Sequence, residues 1–244
     1  MSDGDRHSEA AEVSLITDED ERARRESENA VAQFDMVLDL IEDVTRTERP
    51  FRLRASIVLS LHRRALEGLS AFAGTTRPAD VAIGKSKHVP PPAYQVVELL
   101  EEMCDYVNDK WGDATALHLC AYVMWRLNWI HPFVDGNGRT SRAVSYYVLC
   151  AKVGYVLPGH QTVPEQIAAD KAPYYMALEA ADEAWQQGAL DLSRMESLLD
   201  DCLATRFTPQ CLENVLLVTR VTDDKGISLC AISGGQQSSQ REDK

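Results

Sequence analysis

Hydrophobic residues recur at intervals of three and four along most of the chain, which is the period of an amphipathic helix. Ala23, Ala30, Phe34, Val37, Leu38 and Ile41 follow this spacing and predict one long helix ending near Val44. Thr17 and Asp20 stand where a capping box would open it. The run Thr45–Pro50 breaks the pattern. A second helix is expected over Leu53–Phe72. A third starts after Pro92, with Val96, Leu99, Leu100, Met103 and Val107 on one face. Ala114–Ile130 is apolar on several sides, and Leu117, Cys120, Ala121, Met124 and Leu127 mark its buried stripe. A segment of that kind belongs at the centre of a domain. Another helix runs from about Arg139 to Val153 and stops at Gly154. Pro164–Ala169, Pro173–Gln187 and Ser193–Thr205 complete the helical set.

Two kinds of segment depart from this period. Gly74–Pro92 reads GTTRPADVAIGKSKHVPPP, and its prolines, glycines and short β-branched runs predict an extended element or small hairpin. The two ends of the chain are polar. The expected organisation is a disordered stretch at 1–15, an N-terminal helix within 16–50, one domain over 51–220 and a flexible tail at 221–244. The fold class is therefore all-α with one small β-hairpin.

Composition narrows what such a domain can bind. A formal net charge of −13 argues against general binding of nucleic acid or anionic membrane, because both need phosphates neutralised by Lys and Arg. It leaves room for a small phosphate ligand in a local positive pocket. The six cysteines form no CxxC pair and mostly sit in apolar helical patterns, so reduced buried thiols are expected. No apolar run is long enough to span a bilayer and no basic-then-apolar leader is evident, which predicts a cytoplasmic protein.

The stretch HPFVDGNGRTSR, His131–Arg142, interrupts two helical patterns with chemistry. Gly136 and Gly138 permit a tight turn and close approach of a ligand to the backbone. Consecutive N–H groups in such a turn form an anion-binding nest, and the turn opens into a helix N-terminus that favours negative charge. Arg139 and Arg142 are three apart and fall near each other on that first turn. Cations there oppose the helix dipole unless an anion lies between. Asp135 offers a hard oxygen ligand beside the phosphates, suited to magnesium. His131 is the group whose ordinary pKa fits proton transfer near neutrality. A base, a metal ligand, a phosphate nest and two cationic clamps are the parts that phosphoryl or nucleotidyl transfer requires.

The stretch resembles the Fic family signature, His-x-Phe-x-Asp/Glu-Gly-Asn-Gly-Arg-x-x-Arg, at His131, Phe133, Asp135, Gly136, Asn137, Gly138, Arg139 and Arg142. The likeness extends over about Arg52–Arg206, including the Lys85–Pro92 segment and the Tyr174-Tyr175-x-Ala177-Leu178 run. It implies a Fic-type helical domain that transfers AMP from ATP to a Ser, Thr or Tyr hydroxyl of a protein, in some cases itself. In that reading His131 is the general base and Asp135 holds Mg2+. Asn137 and the backbone of Gly136 and Gly138 hold the α- and β-phosphates, and Arg139 and Arg142 contact the phosphate tail. Phe133 points into the core. Gly74–Pro92 is the flap that pins the target peptide by strand-like pairing, with Val81, Ile83 and His88 as its contacts. The related Doc kinases carry Lys where this chain has Gly138, so Gly138 favours AMP over phosphate transfer.

Many Fic proteins carry an inhibitory helix with the pattern Ser/Thr-x-x-x-Glu-Gly/Asn, whose Glu pairs with the last arginine of the signature. Here Glu28-Asn29 matches its second half, while Arg24 stands where Ser or Thr is expected. Glu28 is thus the expected inhibitory carboxylate, occupying the anion site in place of a phosphate, or a residue serving the reverse reaction, removal of AMP. Transfer of phosphate or another nucleotide-derived group is the alternative on the same fold. A catalytically silent interaction module or toxin–antitoxin component is the alternative of another class. A homodimer through exposed helices is open at this level.

Overall fold

A computed structural model describes residues 8–9, 15–47, 50–158 and 161–206. The expected tail, 221–244, lies outside the described residues, as do Cys211 and Cys230. Helix α4, Ala116–Ile130, is the axis of the fold, as its all-round apolarity predicts. Leu119 through Leu127 are all buried, so this helix has no solvent face over more than two turns. Thr115 opens it by accepting from the His118 N–H at 3.1 Å. Helix α5, Asn137–Val153, packs along α4 and buries Val144, Tyr146, Tyr147, Val148 and Leu149.

Helices α1, Glu19–Arg46, and α2, Ala55–Leu66, cover the other side of α5. Helix α3, Val96–Asp109, packs on α4 behind a short 3-10 turn at Ala93–Gln95. Helices α7, Ala172–Gln186, and α8, Ser193–Arg206, close the remaining flank of α4, and α6, Val163–Ala169, packs against α5 and α8. The all-helical reading and its order of elements hold. Two local details differ from expectation. The N-cap of α1 is Asp18, not Thr17: its Oδ1 accepts from the Glu21 N–H at 2.8 Å. Helix α2 stops at Leu66 rather than reaching Phe72, because Glu67 leaves helical geometry and Gly68 turns the chain at φ +74°.

The buried face of α1 is unusual in carrying Asn29 and Gln33 beside Val37 and Ile41. Both amides work as caps for the neighbouring helix. Asn29 Nδ2 donates to the carbonyls of Glu67 at 2.9 Å and Ala65 at 3.3 Å, and Gln33 Nε2 donates to Leu61 O at 3.0 Å. Of the three carbonyls, Ala65 O lies in the last turn of α2, where no intrahelical N–H reaches it, Glu67 O belongs to the C-cap residue, and Leu61 O takes the Gln33 amide as an additional donor. They also fix the rotation of α1 about its own axis, which decides which of its charged residues faces α5.

Gly74–Pro92 is non-helical, as expected, but its strand pairing is not internal. Strand β2, Ala82–Ile83, pairs antiparallel with β1, Ser8–Glu9, in the register Ser8↔Ile83 and Glu9↔Ala82. The expected hairpin is thus one strand from the flap and one from the N-terminal stretch that the sequence reads as disordered. Cys104, Cys120, Cys150 and Cys202 are buried free thiols. Among the described residues no helix is long and apolar enough to cross a membrane.

Candidate active site

The C-terminus of α4, the N-terminus of α5, the flap, α1 and the start of α7 meet around a cavity of about 440 Å³. His131 forms the C-cap of α4 in a left-handed conformation, φ +49°, so the chain turns sharply there and its side chain lines the cavity. The residue is only 6% exposed. Its Nδ1 lies 3.4 Å from Asn128 O. A carbonyl can only accept, so this contact favours the tautomer with the hydrogen on Nδ1. Burial, reinforced by the charges of His88 and Arg77, pushes the imidazole down to about 4, so His131 is neutral at pH 7.

The turn between His131 and α5 is built by its own side chains. Asn137 Oδ1 accepts from the Phe133 N–H at 2.9 Å and Asn137 Nδ2 donates to Phe133 O at 2.9 Å. Asn137 therefore spends its amide on shaping the loop. The resemblance implies a phosphate contact at this position; the residue lines the cavity at 4% exposure, and its amide also clamps the Phe133 backbone in both directions. Phe133 is fully buried and stacks on His62 at 3.6 Å, nearly parallel. Gly136 is the N-cap of α5 at φ +77°, and a Cβ there would lie 2.5 Å from Leu66 Cδ2. The position requires glycine on both counts.

The cavity wall at the head of α5 holds Asp135 through Arg139, and Arg142. Asp135 Oδ1 accepts from the Gly136 N–H at 2.6 Å, and Oδ2 pairs with Arg139 Nη2 at 2.9 Å. Asp135 is the carboxylate at the head of α5 that could contribute one oxygen ligand to a divalent cation. Among the described residues no group of three His, Cys, Asp or Glu could hold a metal ion.

The structure brings His131, Asp135, Gly136, Asn137, Gly138, Arg139 and Arg142 to one cavity. It treats the other expected site residues differently. Of the flap contacts, Ile83 and His88 line the cavity and Val81 does not. His88 is an anchor: its Nε2 lies 2.7 Å from Trp129 O and its Nδ1 faces Asp182 at 3.9 Å. Asp182 in turn accepts from Trp125 Nε1 at 2.8 Å. Glu28 is not part of the wall. It is half exposed and held by Arg24 at 4.0 Å and Arg25 at 3.8 Å on its own helix. The carboxylate that α1 brings to the cavity is Glu26, ion-paired with Arg22 at 3.3 Å. Both lie on the Asn29 side of α1, which Asn29 turns towards α2; Glu28 is rotated by about 100° from Asn29.

Three residues the sequence reading passes over hold the site together. Arg77, 2% exposed, donates through Nε to His131 O at 2.8 Å and through Nη1 to Ala79 O at 3.0 Å, and its Nη2 bonds Pro91 O. His62 accepts from the Gly74 N–H on Nδ1 at 3.0 Å and, with that tautomer fixed, donates from Nε2 to Asp135 O at 3.0 Å. Asn128 Nδ2 lies within 2.8 Å of Met124 O, Ser141 Oγ and Tyr174 OH, tying α4, α5 and α7. Nothing in the local sequence marks these residues, because every partner but Met124 and Ala79 is distant in the chain.

Residues 52–149 match the Fic/DOC family. Over 131 residues the chain is 31% identical to the protein adenylyltransferase Fic of Drosophila willistoni, a match covering 52% of this chain and 24% of that protein. It is 28% identical over 159 residues to protein adenylyltransferase fic-1 of Caenorhabditis briggsae, covering 63% and 29%. The chain thus spans less than a third of the length of these relatives. Fic-1 of C. elegans, residues 134–508, shares the fold with a TM-score of 0.58 at 21% identity, over 80% of this chain and 52% of that one.

Proposed function

The chain carries a Fic/DOC family domain at residues 52–149, and from that premise we propose that it is a protein adenylyltransferase, moving AMP from ATP to a Ser, Thr or Tyr hydroxyl of a protein. The observation that carries the reading is the placement of a neutral buried His131 across one cavity from the N-terminus of α5 with Arg139 and Arg142. The names of the curated relatives support the same activity.

In this reading the triphosphate lies against the open N–H groups of α5, where the dipole and the two guanidiniums balance its charge. Asp135 would hold magnesium together with the phosphates, which adds charge neutralisation. Nε2 of His131 takes the proton from the target hydroxyl. The hydroxyl oxygen forms a bond to the α-phosphorus, the bond from that phosphorus to the bridging oxygen breaks, and pyrophosphate leaves. A base with a depressed pKa is weak in the free protein. A bound polyanion raises it, so His131 becomes a better proton acceptor when ATP is present.

The test is transfer of label from ATP carrying it at either the α- or the γ-phosphate, with His131→Ala alongside. Label from α alone that disappears in His131→Ala supports adenylyl transfer. Label from γ makes the protein a kinase. Binding of ATP with no label on any protein makes it a silent module or a user of another donor.

A further inference from the structure

Strand β2 is two residues long and sits at the mouth of the cavity, with Ile83 in its wall. A strand edge presents backbone N–H and C=O groups that any extended segment can take up. Here that edge is taken up by the chain itself, with Ser8 opposite Ile83 and Glu9 opposite Ala82. We propose that this edge of β2 is a strand-docking surface whose resident occupant is the chain's own N-terminal segment around Ser8–Glu9, and that an incoming protein segment must displace it.

Three further observations carry the argument. The flap is pinned at both roots, by Arg77 to the carbonyls of Ala79 and Pro91 and by His88 to the carbonyl of Trp129. With its roots held, the flap keeps β2 at the cavity, and this edge of β2 pairs with one strand at a time, so one occupant has to leave before another pairs there. The N-terminal segment is itself tethered, because Ile16 packs against Ala65, Leu66 and Leu69 before α1 begins. Six residues lie between Glu9 and Ile16, seven steps with a reach of at most about 25 Å, so the segment stays near β2 and returns readily. The pairing is also short. A two-residue ladder is marginal on its own, which makes the occupant displaceable rather than permanent. Because the contact is made by backbone, it places little demand on the displacing sequence.

The competition with a target rests on the adenylyl-transfer reading; the docking does not. Hydrogen exchange of the full chain is compared with a truncation lacking residues 1–12, which keeps Ile16 and α1, and with full-length Glu9→Pro, which cannot extend a ladder. The peptide spanning Val81–Gly84 should exchange roughly 5- to 10-fold faster in both, and a synthetic peptide of residues 5–13 added to the truncation should restore protection. Unchanged exchange in both variants overturns the proposal. On the same samples, transfer of α-label to lysate proteins should rise about 5-fold on truncation if two backbone hydrogen bonds oppose the target. Faster exchange with no label on any protein would discard the adenylyl reading and keep the docking surface. Abundant label with exchange unchanged would do the reverse.

Discussion

Nε of Arg77 donates to the backbone carbonyl of His131 at 2.8 Å, from a guanidinium that is 2% exposed. The Arg77 N–H also donates to Pro132 O at 2.8 Å. One buried cation thus joins the residue that would act as base to both roots of the flap. Its charge also adds to the burial and the His88 charge that hold the His131 imidazole low.

Replacing Arg77 with Met should act on two readouts. The carbonyls of His131, Ala79 and Pro91 lose their side-chain donor, which costs on the order of 2–4 kcal/mol and lowers Tm by roughly 5–15 °C. Burial remains the main cause of the depressed His131 pKa, and loss of the positive charge removes a smaller one, so the pKa rises modestly from about 4. A base works only when deprotonated, so the acid limb of the pH–rate profile for protein labelling should move to higher pH. Arg77→Lys keeps the charge and should restore the limb but not the Tm. A limb that stays put in Arg77→Met would show that the guanidinium acts on the flap alone.

His62 makes folding stability pH-dependent. Burial pushes its pKa down to about 4, against an ordinary 6.5. Between those values the unfolded chain binds a proton that the folded chain does not. Stability is then complete above about pH 6.5 and falls as pH drops towards 4, by up to about 3 kcal/mol for this group. His131 is depressed in the same direction and adds to the slope. Thermal melts from pH 4.5 to 7.5 should show Tm rising with pH, and His62→Gln should remove about half of that rise. A full slope in His62→Gln would place the titration elsewhere.

The two glycines of the turn should respond differently to alanine. Gly136→Ala forces a side chain into a φ of +77° and against Leu66, a loss of roughly 2–4 kcal/mol that a thermal melt will show. At Gly138 no positive φ is involved, and the added Cβ would lie 3.2 Å from Arg142 Nη1. Gly138→Ala should keep its Tm within about 2 °C but lose transfer activity, because the guanidinium must move. Equal Tm losses in both variants would contradict this division.

The helices and the cavity's central residues were legible because they are local. Helical periodicity marks α1 to α8, and the twelve residues from His131 to Arg142 carry most of the cavity's chemistry in one run. What stayed hidden depends on residues far apart in sequence. Arg77 reads as one more charge in a loop until Pro91 and His131 fold around it, 14 and 54 residues away. His62 reads as a polar interruption of α2 until Gly74 and Asp135 meet on its two nitrogens. The partner of β2 could not be read at all, because Ser8–Glu9 has no alternating pattern to announce a strand.

The rotation of α1 has the sharpest functional consequence. A short pattern on that helix points to Glu28, but Asn29 and Gln33 lock the helix so that Glu26 and Arg22 face the cavity that contains Arg139 and Arg142. Glu28 is instead engaged with Arg24 and Arg25 outside it. If α1 restrains transfer by setting a carboxylate against the phosphate site, Glu26 is the residue placed to do so. Glu26→Gln removes that charge at constant size and should raise transfer of α-label at least 5-fold, an effect on the order of 1 kcal/mol. Glu28→Gln breaks only exposed pairs, of small energy, and should leave transfer and Tm unchanged. Asn29→Ala frees the rotation and should also relieve restraint, with a Tm loss of its own from the lost donor to Ala65 O and Glu67 O at the end of α2. Activation by Glu28→Gln with none by Glu26→Gln would mean that α1 turns by about 160°, nearly half a turn, when nucleotide binds, and that the sequence pattern, not this rotation, identifies the restraining carboxylate.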